Sequence, residues 1–443
     1  MDFDQEITIR LLSGHAELFG TELAPQQPYT FSGTKSCIYT HVNQGCSLSV
    51  SPELAPSYTA EENPHMTAYV NLHFALEAKR NAVISSHSHG DETNGASNGD
   101  SASLGPRVLV VGPENAGKTS LVKLLTAYAT RMGRVPTVIN LDPREGILTI
   151  PGTLTATQFA GLLDVEEGWG NSPMSGPSEI PVKLPLVYPF LMRSPEEDPK
   201  HFRAMIRRMA LAIQGRFAED QEAQVCGCFI DTSGMFANGK GEYDLIQHCV
   251  SEFNVDTILT IGSERLYSDV SKRFSKGAAV VKLPRSGGCV DRDDRFMRQL
   301  QEKKIKQYFF GDPRQTLSPH TSTLQFDQVQ VWQYRAASTF LESLLPGGME
   351  DAGGSEVETA VEKIFDKVQP SAQMQSCFLA IVNAQLNDRQ EALRDATVMG
   401  WIYVIEVDEA REKLRVLAPI SGRLPSKPLL WGKWPEAMVS LTT

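Results

Sequence analysis

The residues Gly112-Pro113-Glu114-Asn115-Ala116-Gly117-Lys118-Thr119 fit the pattern G-x-x-x-x-G-K-[ST], a phosphate-binding loop. The chemistry follows from the residue types. Glycines let backbone N–H groups approach phosphate oxygens, and a helix N-terminus presents partial positive charge to them. Lys118 is placed to reach the β- and γ-phosphates of a nucleoside triphosphate, and the Thr119 hydroxyl to ligate Mg²⁺. Asp142 ends the apolar run Val138-Ile139-Asn140-Leu141. A carboxylate there can hold the metal or accept a proton from a nucleophile, although an Asp before Pro143 is also an ordinary turn residue. Asp231, in Asp231-Thr232-Ser233-Gly234, is either a second acidic metal-site residue or a cap. Ser286-Gly287-Gly288 is a small loop able to line a base. Arg285, Arg292, Arg295 and Arg298 could form a cationic lid, but interleaved Asp291, Asp293 and Asp294 favour a solvated helix face.

Such a loop works only between a strand and a helix. Val108-Leu109-Val110-Val111 precedes it as a short apolar, β-branched run, and Ser120 to Tyr128 carries apolar residues at helical spacing. Residues 105–315 continue in this alternation, which predicts an α/β P-loop domain with a mostly parallel sheet. Its expected strands are 108–111, 137–141, 227–230, 257–261 and 278–281. Its expected helices are 119–131, 200–218, 241–253, 264–275 and 292–306. The Gly-, Ser- and Pro-rich stretch from Glu166 to Pro185 reads as a surface excursion.

Residues 1–81 read as a small β-sandwich-like domain, with strands near 7–12, 16–19, 29–31, 37–40 and 47–50 and a helix over 71–79. The polar stretch 82–104 reads as a low-complexity linker, so His87 and His89 are taken as solvated and not as metal ligands. Residues 316–443 form a β-rich C-terminal domain, with one half-buried strand over 324–332, further strands at 378–382, 402–406 and 414–417, and a disordered insertion near 347–358.

The 443 residues carry a net charge of -11, which argues against a surface built mainly to grip nucleic acid. Seven cysteines without regular spacing fit a reducing compartment, and Cys226-Gly227-Cys228 reads as buried strand. No apolar run is long enough to cross a membrane, and the acidic N-terminus is not a signal peptide.

Phe19-Gly20-Thr21-Glu22-Leu23, Tyr29-Thr30-Phe31-Ser32-Gly33-Thr34-Lys35 and Gly105 to Pro113 together resemble the cleavage-and-polyadenylation P-loop subunit of eukaryotic pre-mRNA 3′-end processing. That family also contains polynucleotide 5′-hydroxyl kinases. Ile150-Pro151-Gly152-Thr153, Asp164-Val165-Glu166-Glu167-Gly168, Pro185-Leu186-Val187-Tyr188, Glu264-Arg265-Leu266-Tyr267 and Leu283 to Gly288 add to the likeness. The resemblance implies ATP and Mg²⁺ as cofactors and a nuclear location. It implies a cleavage-factor scaffold subunit that interacts with the RNA polymerase II tail as partner, alongside other 3′-end processing subunits and an indirect RNA contact. Lys35 matches an ATP-contacting position of the family's N-terminal domain, whose companion glutamate would precede Met1. Gly112 and Asn115, Ala116, Gly117, Lys118, Thr119 and Ser120 match the phosphate loop, and Thr119 with Asp142 the metal site.

Two departures bear on activity. Kinase-active members carry Asp-x-Gly-Gln-Gly where this chain has Asp142-Pro143-Arg144-Glu145-Gly146. An arginine fills space that glycine leaves open, and a carboxylate repels phosphate where an amide would donate. They also carry a tryptophan where Met235 stands, a platform on which a base would stack. The expectation is therefore an ATP-binding scaffold of the fungal type without a catalytic residue. The alternative is an active polynucleotide 5′-hydroxyl kinase using Asp142.

Overall fold

The computed structural model describes residues 3–41, 44–53, 57–59, 65–88, 104–176, 184–239, 243–335 and 364–441. At the N-terminus, strands β1 (Ile7–Gly14), β2 (Glu17–Leu18), β3 (Thr21–Glu22), β4 (Pro28–Phe31), β5 (Ile38–Tyr39) and β6 (Cys46–Ser51) build two three-stranded sheets, ordered β4-β1-β6 and β3-β2-β5. In β1, Ile7, Ile9 and Leu11 alternate inward and join Leu18, Leu23 and Phe31 in one core. The next element is the long helix α1 (His65–Ser88). It overruns the helix expected over 71–79, and its last residues fall in the stretch read as linker. It does not sit with the β-sheets' core. Met66, Tyr69, Leu72 and Leu76 pack instead with the P-loop helix, and the buried Arg80 donates to the Cys226 carbonyl at 3.0 Å.

The central unit comprises β7 (Arg107–Val111), α2 (Lys118–Arg131), β8 (Thr137–Leu141), β9 (Thr153–Gln158), β10 (Leu186–Pro189), α3 (Pro199–Glu219), α4 (Gln221–Cys226), β11 (Cys228–Thr232), α5 (Asp244–Phe253), β12 (Thr257–Ile261), α6 (Glu264–Phe274), β13 (Ala279–Leu283) and α7 (Asp294–Phe310). The sheet order is β10-β9-β8-β11-β7-β12-β13. Strands β8, β11, β7, β12 and β13 are parallel, while β9 and β10 extend the sheet antiparallel. Strands β7, β8, β11 and β12 are buried at every residue, as strands covered by helices on both faces must be. The loops that bear function therefore emerge at the carboxyl ends of β7, β8 and β11.

The C-terminal unit contains β14 (His320–Gln325), β15 (Val331–Tyr334), β16 (Phe365–Val368), β17 (Phe378–Val382), α8 (Gln390–Arg394), β18 (Val398–Asp408), β19 (Lys413–Ala418) and β20 (Leu429–Trp431), in one sheet ordered β14-β19-β18-β17-β20-β15-β16. The single strand expected over 324–332 is two strands, because the chain turns through a 3₁₀ helix at Phe326–Gln328. This unit is fastened to the central one by the Tyr334 hydroxyl on Asp198 at 2.7 Å and by the Trp401 indole on Thr149 at 3.2 Å. The insertion near 347–358 lies outside the described residues, as does His89. No described helix is long and apolar enough to cross a membrane.

Candidate nucleotide site

Between β7 and α2 the loop turns through left-handed backbone at Asn115 (φ 55°) and Gly117 (φ 90°), which aims successive N–H groups at one point. Gly117 is crowded as well: a Cβ there would meet the Cys289 sulfur at 2.8 Å. Lys118 is buried, and its ammonium donates to the Pro113 carbonyl at 2.8 Å. Burial lowers its pKa, against the opposing pull of Asp231, Asp142 and Glu145.

The Thr119 hydroxyl donates to Asp231 Oδ2 at 2.6 Å. The other carboxylate oxygen, Oδ1, is buried without a partner among the described residues, and burial raises the Asp231 pKa to about 7. A hydroxyl beside an unsatisfied carboxylate oxygen is a hard-oxygen donor set, which fits Mg²⁺. Asp142, the metal ligand expected from sequence, is engaged differently. Its Oδ1 accepts the Arg144 N–H at 3.0 Å and faces the Arg144 side chain at 3.4 Å. Of the two acidic residues, Asp231 is the one directly bonded to Thr119.

Arg144 reaches across the loop to Glu114 at 2.8 Å, and its carbonyl accepts from Gln301 of α7 at 2.9 Å. Glu145 takes Arg292 at 2.6 Å, and Arg292 also donates to Asn115 at 3.2 Å. Burial would raise the Glu145 pKa, but Arg292, Lys304 and Arg144 overcome it and hold it at about 2. Lys304 caps the carbonyls of Glu145 and Gly146, and burial lowers its pKa to about 8. The segment 142–146, the P-loop and the entry to α7 are thus tied into one charged wall.

The N-terminal unit forms the opposite wall. Lys35 donates to the Asp291 carbonyl and lies over the Phe296 ring at 4.8 Å from its centre. The Ser286-Gly287-Gly288 loop is held by the Tyr58 hydroxyl on Gly287 at 2.7 Å and by Tyr69 on Pro284 at 2.8 Å. The cleft between these walls has a volume of about 1030 Å³ and gathers Lys35, Asn115, Ala116, Gly117, Lys118, Thr119, Ser120 and Asp142. Gly112 lies behind it, packed on the Ile261 carbonyl.

Of the four lid arginines, Arg292 enters the cleft, whereas Arg285, Arg295 and Arg298 are exposed. Of the stretch 166–185, expected at the surface, residues 166–176 pack inward and Leu184 is exposed, while 177–183 lie outside the described residues. Glu166 accepts the Thr30 N–H, and Trp169 is buried against Phe159 with ring centres 5.0 Å apart. Cys226 ends a helix and does not lie in a strand, although it and Cys228 are both buried as expected. Sequence reasoning missed Lys123, Lys304 and Phe19, all on the cleft wall or beside it. Lys123 carried one signal, its place one turn beyond the P-loop on the same helix.

Three family models cover the chain. The N-terminal beta-sandwich domain of polyadenylation factor matches residues 1–83, the mRNA cleavage and polyadenylation factor CLP1 P-loop 112–311, and the pre-mRNA cleavage complex II protein Clp1 317–436. The chain belongs to the Clp1 family of mRNA cleavage and polyadenylation factors. It is 48% identical to the factor clp1 of Botryotinia fuckeliana, over 98% of this chain and 90% of that one. It is 43% identical to CLP1 of Phaeosphaeria nodorum, over 100% and 91%. Two solved structures align with TM-scores of 0.81 at 27% identity and 98% coverage of this chain. One is a wild-type Clp1p–Pcf11p complex, covered to 94%. The other, covered to 95%, concerns an extended interface between Pcf11p and Clp1p and the structural basis for ATP loss in a glycine-to-arginine point mutant. As a Clp1-family member the chain is a nucleotide-binding P-loop protein of mRNA cleavage and polyadenylation.

Proposed function

We propose that this chain is a nuclear, ATP-binding scaffold subunit of a pre-mRNA cleavage factor and does not phosphorylate RNA. ATP with Mg²⁺ would lie between the N-terminal and central units. Lys118 and the loop N–H groups would hold its phosphates, and Thr119 with Asp231 the metal. Bound ligand stabilises the state that binds it, so the nucleotide acts as a pin between the two units. Its partner would be the factor's scaffold subunit, a counterpart of the Pcf11p seen with Clp1p, which in turn interacts with the RNA polymerase II tail.

The observation that carries the non-catalytic reading is Arg144. Its guanidinium lies between Asp142 and Glu114, so the Asp142 carboxylate is already engaged and not free to take the proton of an acceptor hydroxyl. An oriented acceptor and a free acceptor-side carboxylate are what phosphoryl transfer needs. The kinase alternative retains Lys118, Thr119 and Asp142 in one cleft.

The test is incubation with Mg²⁺, γ-labelled ATP and a 5′-hydroxyl RNA, beside a Lys118→Ala control. Intact ATP recovered with the protein and unlabelled RNA are expected. Label on the RNA with the wild type alone would overturn the scaffold reading.

A further inference from the structure

Burial lowers the pKa of Lys123, against the opposing pull of Glu145 and Glu167. The residue lies on the wall of the nucleotide cleft, yet among the described residues its ammonium makes no hydrogen bond and no ion pair. It rests against Gly168, where any Cβ would collide with it; Gly168 adopts φ 68°. Phe19 of the N-terminal unit and Trp169 of the central unit flank it, with ring centres 5.6 Å and 5.9 Å from the nitrogen. The Trp169 indole N–H is itself buried without a partner among the described residues. Glu145 and Glu167 are the carboxylates whose charge reaches Lys123, but Glu145 is paired to Arg292 and Glu167 is bonded to Gln307. A mostly buried amine without an acceptor is costly, and a fold keeps one where a ligand supplies that acceptor.

Helix geometry indicates which part of the ligand that is. Lys123 stands three residues after Ser120, on the same face of α2. It lies about 7.5 Å along the axis from Lys118. A P-loop holds phosphates at the loop and the first helical turn, so the next portion of a bound nucleotide to pass that face would be the nucleoside. The surroundings agree: two aromatic rings suit a flat base, and ammonium and indole N–H groups suit its ring acceptors.

We propose that Lys123, flanked by Phe19 and Trp169, reads the nucleoside end of the bound nucleotide by donating to an acceptor on its base. This rests on the ATP-binding reading above. It adds a base-recognition residue from the P-loop helix to the ATP contact that the resemblance implies for Lys35 of the N-terminal unit.

The test compares wild type, Lys123→Met and Lys123→Arg by calorimetric titration with Mg²⁺–ATP and with Mg²⁺–tripolyphosphate, which has no nucleoside. Lys123→Met is expected to weaken ATP about tenfold, to leave tripolyphosphate unchanged, and not to lower the melting temperature of the nucleotide-free protein. Lys123→Arg should recover part of the ATP affinity. Equal losses for both ligands would make Lys123 a phosphate contact and overturn the proposal. An unchanged ATP affinity, or a melting loss that Lys123→Arg repairs without any effect on ATP, would overturn it as well. A wild type that binds tripolyphosphate but shows no gain with ATP would remove the base subsite altogether. One that binds neither ligand would fail the nucleotide reading itself.

Discussion

The Arg292 guanidinium lies 2.6 Å from the Glu145 carboxylate, and the pair joins the entry to α7 to the loop after β8 directly over the P-loop. Arg292 reaches on to Asn115, so the P-loop itself is the third point of the latch. The latch is predicted to gate the release of a bound nucleotide. Glu145→Gln keeps the shape and a hydrogen bond but removes the charge. Release of a fluorescent ATP analogue, chased with unlabelled ATP, should then accelerate about tenfold, the equivalent of roughly 1.4 kcal/mol. An unchanged release rate would show that the latch does not gate exit.

The same pair predicts a pH dependence. The folded-state pKa of Glu145 is held at about 2, below its ordinary value of 4.5. A depressed carboxylate contributes stability that is fully present above 4.5 and is lost as pH falls toward 2. The contribution is on the order of 3 kcal/mol. Wild type should therefore lose more melting temperature between pH 5 and pH 3 than Glu145→Gln does, on the order of a few degrees. Parallel losses would show that Glu145 does not titrate as the geometry requires.

Much of this site was legible locally. The P-loop, its strand and its helix lie within one short segment, and the short, largely apolar runs of β7, β8 and β12 mark buried parallel strands. Thr153–Gln158 carries the alternation and β-branched residues of a strand, and only its pairing with β8 fixes it as β9. Residues 324–332 alternate as one strand would, and the turn at Phe326 depends on backbone pairing that periodicity does not encode. The departure at Arg144 and Glu145 was visible in the sequence, but the partner of Glu145 lies 147 residues away. Lys123 looked like any surface lysine of an amphipathic helix, and only Gly168, Phe19 and Trp169 give it a role.

Thr119 and Asp231 make a prediction about the metal. The Asp231 carboxylate holds the Thr119 hydroxyl at 2.6 Å and keeps one oxygen unsatisfied. Asp231→Asn preserves size and one acceptor oxygen but removes the charge. The extra melting temperature that Mg²⁺ gives over ATP alone should fall by at least half. Thermal denaturation with ATP, in Mg²⁺ and in a chelator, measures it. A full Mg²⁺ increment in the variant would move the metal to Asp142.

Gly117 tests whether loop conformation or loop charge governs binding. Its φ of 90° is strained for any other residue, and a Cβ would press on the Cys289 sulfur at 2.8 Å. Gly117→Ala should destabilise the chain by roughly 1–2 kcal/mol and weaken ATP at least tenfold, although Lys118 and Thr119 remain. Adding Cys289→Ala removes the sulfur contact but not the backbone strain. The double variant should then recover part of the stability and little of the affinity, because the N–H groups that face the phosphates are aimed by the left-handed turn. Full recovery of ATP binding by calorimetric titration would assign the effect to the Cys289 collision and leave the turn without a role in phosphate recognition.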